Sequence, residues 1–458
     1  MNPKISWCSG LALSVLLASV SLTACGYKTN DYSRAPTAVA LARYNANGAP
    51  GTPGTPDTNF GTQGVVTTDV NPSQDDIAFA TVLQSDGKII VVGTSFTTPA
   101  SIAVTRYNAN GGLDSTFGSN GITVTSLPSA DASAFAATLQ ADGKLLVAGR
   151  SCPVSGVSSF LLLRYNTAGA PGTVGTLDAS FGTGGIVTTP IPSGSSTTAN
   201  AIAVSGTKIL VAGHSKIGGK FRIVVAQYTS AGALDTDPTT GFGAGQGFVT
   251  TQVGSLDADA AALAVQPGDS KIVVAGLAGN AMSQIWDVAL LRYNTDGTLD
   301  LPFGGANTGM VTTDVGSSSN YANAVALQAD GKIVVVGNAF VNSFASDIAV
   351  LRYNTDGSLD TGFGGGDGIV TTSIGAFDNG FAVAVQGDNK IVVAGNADAG
   401  TGDRLALLRY NADGGLDSGF GTGGIVTRAA SGPSTIAGAF AVVLQPQPGG
   451  EIVVAGYD

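Results

Sequence analysis

The chain has 458 residues, room for two or three ordinary domains or one large repetitive one. Its formal net charge of −11 leaves no basic footprint for nucleic acid and no polybasic patch for anionic lipid. Sixty-six glycines, and aspartate at every acidic position but Glu451, favour turns over helix and point to an all-β protein.

In chain order the first element is a leader. Lys4 precedes the apolar stretch "LALSVLLASVSL" (residues 11–22), too short to span a bilayer and typical of a secretory signal. It ends in Leu22-Thr23-Ala24-Cys25, which resembles the bacterial lipobox. The resemblance implies that residues 1–24 are a lipoprotein signal peptide and that Cys25 is acylated, several chains giving stable anchoring. Gly26 after the cysteine implies the outer membrane if the source is Gram-negative. Residues 25–37 then read as the lipidated cysteine and a tether. Of the three cysteines, Cys8 leaves with the signal and Cys25 carries lipid, so Cys152 is expected as a lone thiol without an internal disulfide.

From residue 38 the chain repeats. "RYN" begins at Arg43, Arg106, Arg164, Arg292, Arg352 and Arg409, with "QYT" at Gln227, at spacings of 63, 58, 63, 65, 60 and 57 residues. A second string, "LQADGKIVVVG" at 327–337, recurs out of phase with the first. Each period holds four strand signals. An alternating segment such as "ANAVALQ" is followed by Asp-Gly, the strongest short hairpin signal. "KIVVVG" is continuously apolar and so buried on both faces, "DIAVLRYN" is the third strand, and "GIVTT" the short fourth. A four-stranded unit with both faces apolar, repeated at regular spacing, predicts a β-propeller. A β-solenoid is the rival, but it needs no tight hairpin in every period.

The ends of the chain predict closure. The repeat region opens on a third and a fourth strand and stops after a first and a second, so one of seven antiparallel blades is assembled from 38–68 plus 428–458. Pairing of N- and C-terminal strands leaves no open edge for aggregation. The combination "LRYNTDGSLDTGFGGGDGIVTT" plus "LQADGKIVVVG" resembles the delta-60 repeat family of bacterial exported proteins, over nearly all of the chain from Ala38 onward. The resemblance implies a propeller-like repeat and carries over no catalytic residues.

Candidate sites follow from the loops. The aspartate-rich connection offers Asn354, Asp356 and Asp360 as calcium ligands, but the EF-hand pattern is not met. The structural alternative pairs Asp360 with Arg352, as a buried arginine needs a charged partner. Lysines after the hairpin turns, such as Lys88, Lys144 and Lys332, read as solvated charges offset by Asp86, Asp142 and Asp330. His214 is the only histidine, so any Ser-His-Asp triad must use it. The second-to-third-strand loops differ between repeats, and Phe96, His214, Trp286, Phe340 and Phe344 are the binding candidates there. The resulting expectation is a monomeric, lipid-anchored envelope propeller that acts as a binding or assembly module for a protein or glycan, with no cofactor and no metal. The alternative is an envelope enzyme with a channel-face site, carbohydrate-active or quinone-dependent.

Overall fold

The computed structural model describes residues 37–47, 51–154, 156–316, 318–342, 345–398, 403–429, 438–446 and 450–458. The residues expected to form the leader, Cys25, most of the expected tether and Phe344 fall outside the described residues. Among the described residues, twenty-eight strands, β1 to β28 in chain order, form seven separate four-stranded antiparallel sheets. Six blades are continuous, at 76–125, 130–189, 194–251, 258–313, 320–372 and 378–428, and are called blades 1 to 6. Blade 7 joins β1 (Val39–Tyr44) and β2 (Val65–Thr68) to β27 (Gly438–Leu444) and β28 (Ile452–Tyr457), in the order β2-β1-β28-β27. The first strands of all seven blades touch in sequence around the axis, β27 meeting the first strand of blade 1, so the ring is closed.

Each seam between blades is its own hydrophobic core, which explains the doubly buried second strand. In blade 5, Ile333 and Val335 pack toward blade 4 while Val334 and Val336 pack toward blade 6. A phenylalanine from the third-to-fourth connection plugs each seam; Phe363 is one of these, and burying such a ring contributes about 1.5–3 kcal/mol. Among the described residues the only helical feature is one turn at Phe242–Gly245, with left-handed φ at Gly243 and Ala244. Cys152 is buried, and it is the one cysteine among the described residues.

Candidate binding site at the central channel

The repeated motif has to be placed before a site can be found. Each motif arginine is buried and forms an ion pair with the aspartate of its own connection. Arg43–Asp57, Arg106–Asp114, Arg164–Asp178, Arg292–Asp300, Arg352–Asp360 and Arg409–Asp417 all lie at 2.6–2.8 Å. The same guanidinium sits 4.4–4.8 Å over the ring of the seam phenylalanine and donates to a turn carbonyl of the next blade, Ala412 in the case of Arg352. The following tyrosine reaches backward, as in Tyr353, whose hydroxyl is 2.7 Å from Thr313 Oγ1 of the preceding blade. "RYN" and "VTT" are therefore the two halves of an inter-blade latch.

The three residues considered for calcium are spent on this scaffold. Asn354 donates to Ser358 Oγ, Asp356 accepts from the Ser358 N–H and hydroxyl, and Asp360 accepts from Arg352, Lys332 and the Gly362 N–H. Burial raises the Asp360 carboxyl, but the Lys332 ammonium, the Gly362 N–H and Arg352 together outweigh it and hold it at about 2. No cluster of three metal-ligating side chains occurs among the described residues.

The lysines differ from expectation. The turn aspartates accept the lysine backbone N–H, as Asp330 does from Lys332, while the ammonium swings to the latch aspartate. Lys144–Asp178, Lys208–Asp235, Lys271–Asp300, Lys332–Asp360 and Lys390–Asp417 lie at 2.7–2.9 Å. Lys88 is 3.3 Å from Asp114 and 3.5 Å from Asp86. The shallow cleft of about 410 Å³ on this face, between blades 4 and 5, is lined by an Arg292 already committed to Asp300 and Thr355.

On the opposite face, two of the expected contact residues are buried. Phe340 packs edge-on against Tyr321. His214 is 1% exposed; its Nδ1 lies 2.7 Å from Asp259 Oδ1 across the seam between blades 3 and 4, and its ring meets Phe221 edge-on. This is the seam where Gln227 replaces the arginine; Gln227 still donates to Asp235 at 2.7 Å. Trp286 is half-buried over Gly279, and Phe96 is half-buried with its N–H on the Asp75 carbonyl.

Sequence reasoning passed over a ring of seven residues. The first strand of every blade carries a β-bulge, where two residues face one on the second strand. Four bulge residues are aromatic and come from four consecutive blades: Phe381, Phe440, Phe79 and Phe135. Their ring centroids are 4.9, 5.5 and 5.5 Å apart in that order, and Tyr457 stacks on Phe440 at 5.6 Å. None of the four phenylalanines joins any of the seven seam cores, so this arc faces the channel.

Blades 3 to 5 complete the ring with Asn200, Ala261 and Asn323. The Asn200 amide donates to the Asp259 carboxylate and the Ala260 carbonyl, and Asn323 to Asn338 Oδ1 and the Gly380 carbonyl. Asn200 Oδ1, Asn338 Nδ2 and Asn379 Oδ1 are buried without a protein partner. The signal lay in the sequence as the middle letter of a recurrent "A-x-A", in "AFA", "ANA" and "GFA".

The architecture is that of a seven-bladed propeller built from one repeat. Six segments, 84–117, 140–171, 208–237, 268–303, 328–363 and 386–420, match the model described as "Domain of unknown function (DUF5122) beta-propeller" and fit a propeller repeat family. Among curated proteins, none matches this sequence. A putative oxidoreductase (glucose dehydrogenase) from Thermus thermophilus is 12% identical, with 83% of this chain and 96% of that chain covered at a TM-score of 0.42. For Sqt1 from Chaetomium thermophilum the values are 13%, 83%, 93% and 0.41, and for the polysaccharide lyase Uly1 10%, 83%, 89% and 0.41. At such identities and scores these likenesses carry no argument about activity.

Proposed function

We propose that the protein is a lipid-anchored propeller of the cell envelope that acts as a binding module through the channel and the loop face opposite the hairpin turns. The observation that carries this reading is how the blades differ. On the hairpin face every latch aspartate is held within the scaffold, by an arginine in six blades and by Gln227 and Lys208 in blade 3. Differences between blades concentrate at the bulge ring and in the second-to-third-strand loops, and loop variation on a rigid frame is where recognition resides. The lipobox-like Cys25 supports the anchoring half of the reading.

The test is affinity capture from envelope extracts with the full chain. A stoichiometric envelope component should be retained by the wild type, lost with Trp286→Ala or Phe96→Ala, and kept with Asp330→Ala on the hairpin face. Equal retention by all four proteins, or none by the wild type, would sink the reading. Cys25→Ser should move the protein from the membrane to the soluble fraction; unchanged fractionation would refute the anchor.

A further inference from the structure

The bulge ring also carries an inference about what is bound. Seven equivalent positions surround the axis, yet they divide into two sectors. An aromatic arc spans blades 6, 7, 1 and 2, and a polar or small sector spans blades 3, 4 and 5. The alanines or glycine on either side of each bulge residue bring the first strands close together and vary little; the residue between them changes character. A purely structural plug would have no reason to place its four phenylalanines on consecutive blades and its two amides across the axis from them.

We propose that the channel binds an uncharged saccharide, one face of a sugar ring stacked on the arc Phe381–Phe440–Phe79–Phe135 and its hydroxyls paired with the amide sector opposite. This rests on the binding-module reading and narrows it. The chemistry follows from what each sector rejects. A charged ligand finds no counter-charge among the seven bulge residues, and Asp259 beside Asn200 is already closed by Asn200 and His214. A wholly apolar ligand would displace water from the amide sector and return no hydrogen bond, which is the costly outcome. A sugar ring has an apolar C–H face for the arc, where Phe79, Phe135 and Phe440 are half-buried and Phe381 is buried, and hydroxyls that both donate and accept. Around the amide sector a buried acceptor (Asn200 Oδ1) and a buried donor (Asn338 Nδ2) both lack protein partners, and Asn338 is 0% exposed. The Asn323 amide is anchored to the Gly380 carbonyl and to Asn338, so this side of the ring is held in place before any ligand arrives.

The experiment is calorimetric titration of the full chain with maltotriose, cellotriose and chitotriose, each to about 10 mM, which reaches the millimolar affinities of small polar sites. Trigalacturonate serves as the charged control. At least one neutral trisaccharide should bind and trigalacturonate should not. Phe79→Leu and Phe440→Leu keep apolar volume but remove the ring, and each should weaken binding about tenfold or more without lowering Tm. Asn323→Ala, on the other side of the channel, should weaken it as well. Absence of binding by all three neutral sugars, equal binding by both leucine variants, or preferential binding of the charged sugar would overturn the proposal. A retained envelope partner alongside failed sugar titrations would leave the binding-module reading standing and remove only this one.

Discussion

At the residue scale, each latch arginine serves three partners at once, and losing it affects two blades. Arg352 neutralises Asp360, covers Phe363 and ties blade 5 to the Ala412 carbonyl of blade 6. Truncating one member of a buried ion pair strands the other, so Arg352→Ala should lower unfolding free energy by about 3 kcal/mol. Blade 3 shows what a milder change looks like, because Gln227 reaches Asp235 without a guanidinium. Arg352→Gln should accordingly cost less than Arg352→Ala in urea denaturation. Equal losses would mean that the ion pair itself contributes little. The pairing of Arg352 with Asp360 was legible because a recurrent arginine in a buried strand requires an anion nearby. The lysine partners were not legible, since adjacency in sequence pointed to the turn aspartate while the side chain spans to the next connection.

At the element scale, the bulge explains a glycine that composition alone assigns to turns. Gly337 sits inside the second strand of blade 5, where the bulge presses the Tyr321 carbonyl against its α-carbon so that a Cβ has no room. The equivalent residue is glycine in every blade, for example Gly93, Gly213 and Gly395, each against a first-strand carbonyl. Gly337→Ala should therefore be among the most damaging single-methyl changes in the chain, costing about 3 kcal/mol or more, because backbone must move rather than a side chain. A control at Gly365, which is exposed with open space around its Cβ position, should cost far less, about 1 kcal/mol from its positive φ. Similar losses at both positions would contradict the bulge account. Strand order and the latch strings could be read from the repeat because they are the same in every copy. The channel ring could not, because its defining property is that it changes, and a variable letter between two alanines looks like noise until the bulge places it on the axis.

At the scale of the whole molecule, the two faces respond to pH in opposite directions. On the hairpin face burial opposes ionisation, yet hydrogen bonds and the latch cations win: Asp114 and Asp360 are held at about 2, and Asp178, Asp300 and Asp417 are lowered too. A depressed folded pKa gives stability that is present above the unfolded value near 4 and lost as pH falls toward 2. On the loop face burial, with Asp398 as a like-charged neighbour, pushes Asp403 up to about 6, and burial also raises Asp76, Asp287 and Asp378. A raised folded pKa gives stability that is present below the unfolded value and lost as pH rises through 6. Stability to urea should therefore be greatest near pH 4, fall between about 4 and 6 and level off above, and Asp403→Asn should flatten the decline between 4 and 6. A maximum above pH 7 would contradict these assignments.

Both faces depend on a ring closed by two distant parts of the chain. β1 pairs with β28 from Val39↔Tyr457 to Tyr44↔Ile452, and this pairing joins the two halves of blade 7. The most direct test removes residues 439–458 and measures mass by light scattering alongside the melting temperature. Closure predicts that the truncated chain exposes the edge of β1, self-associates and melts well below the full chain; a monomer that melts with the full chain would contradict it.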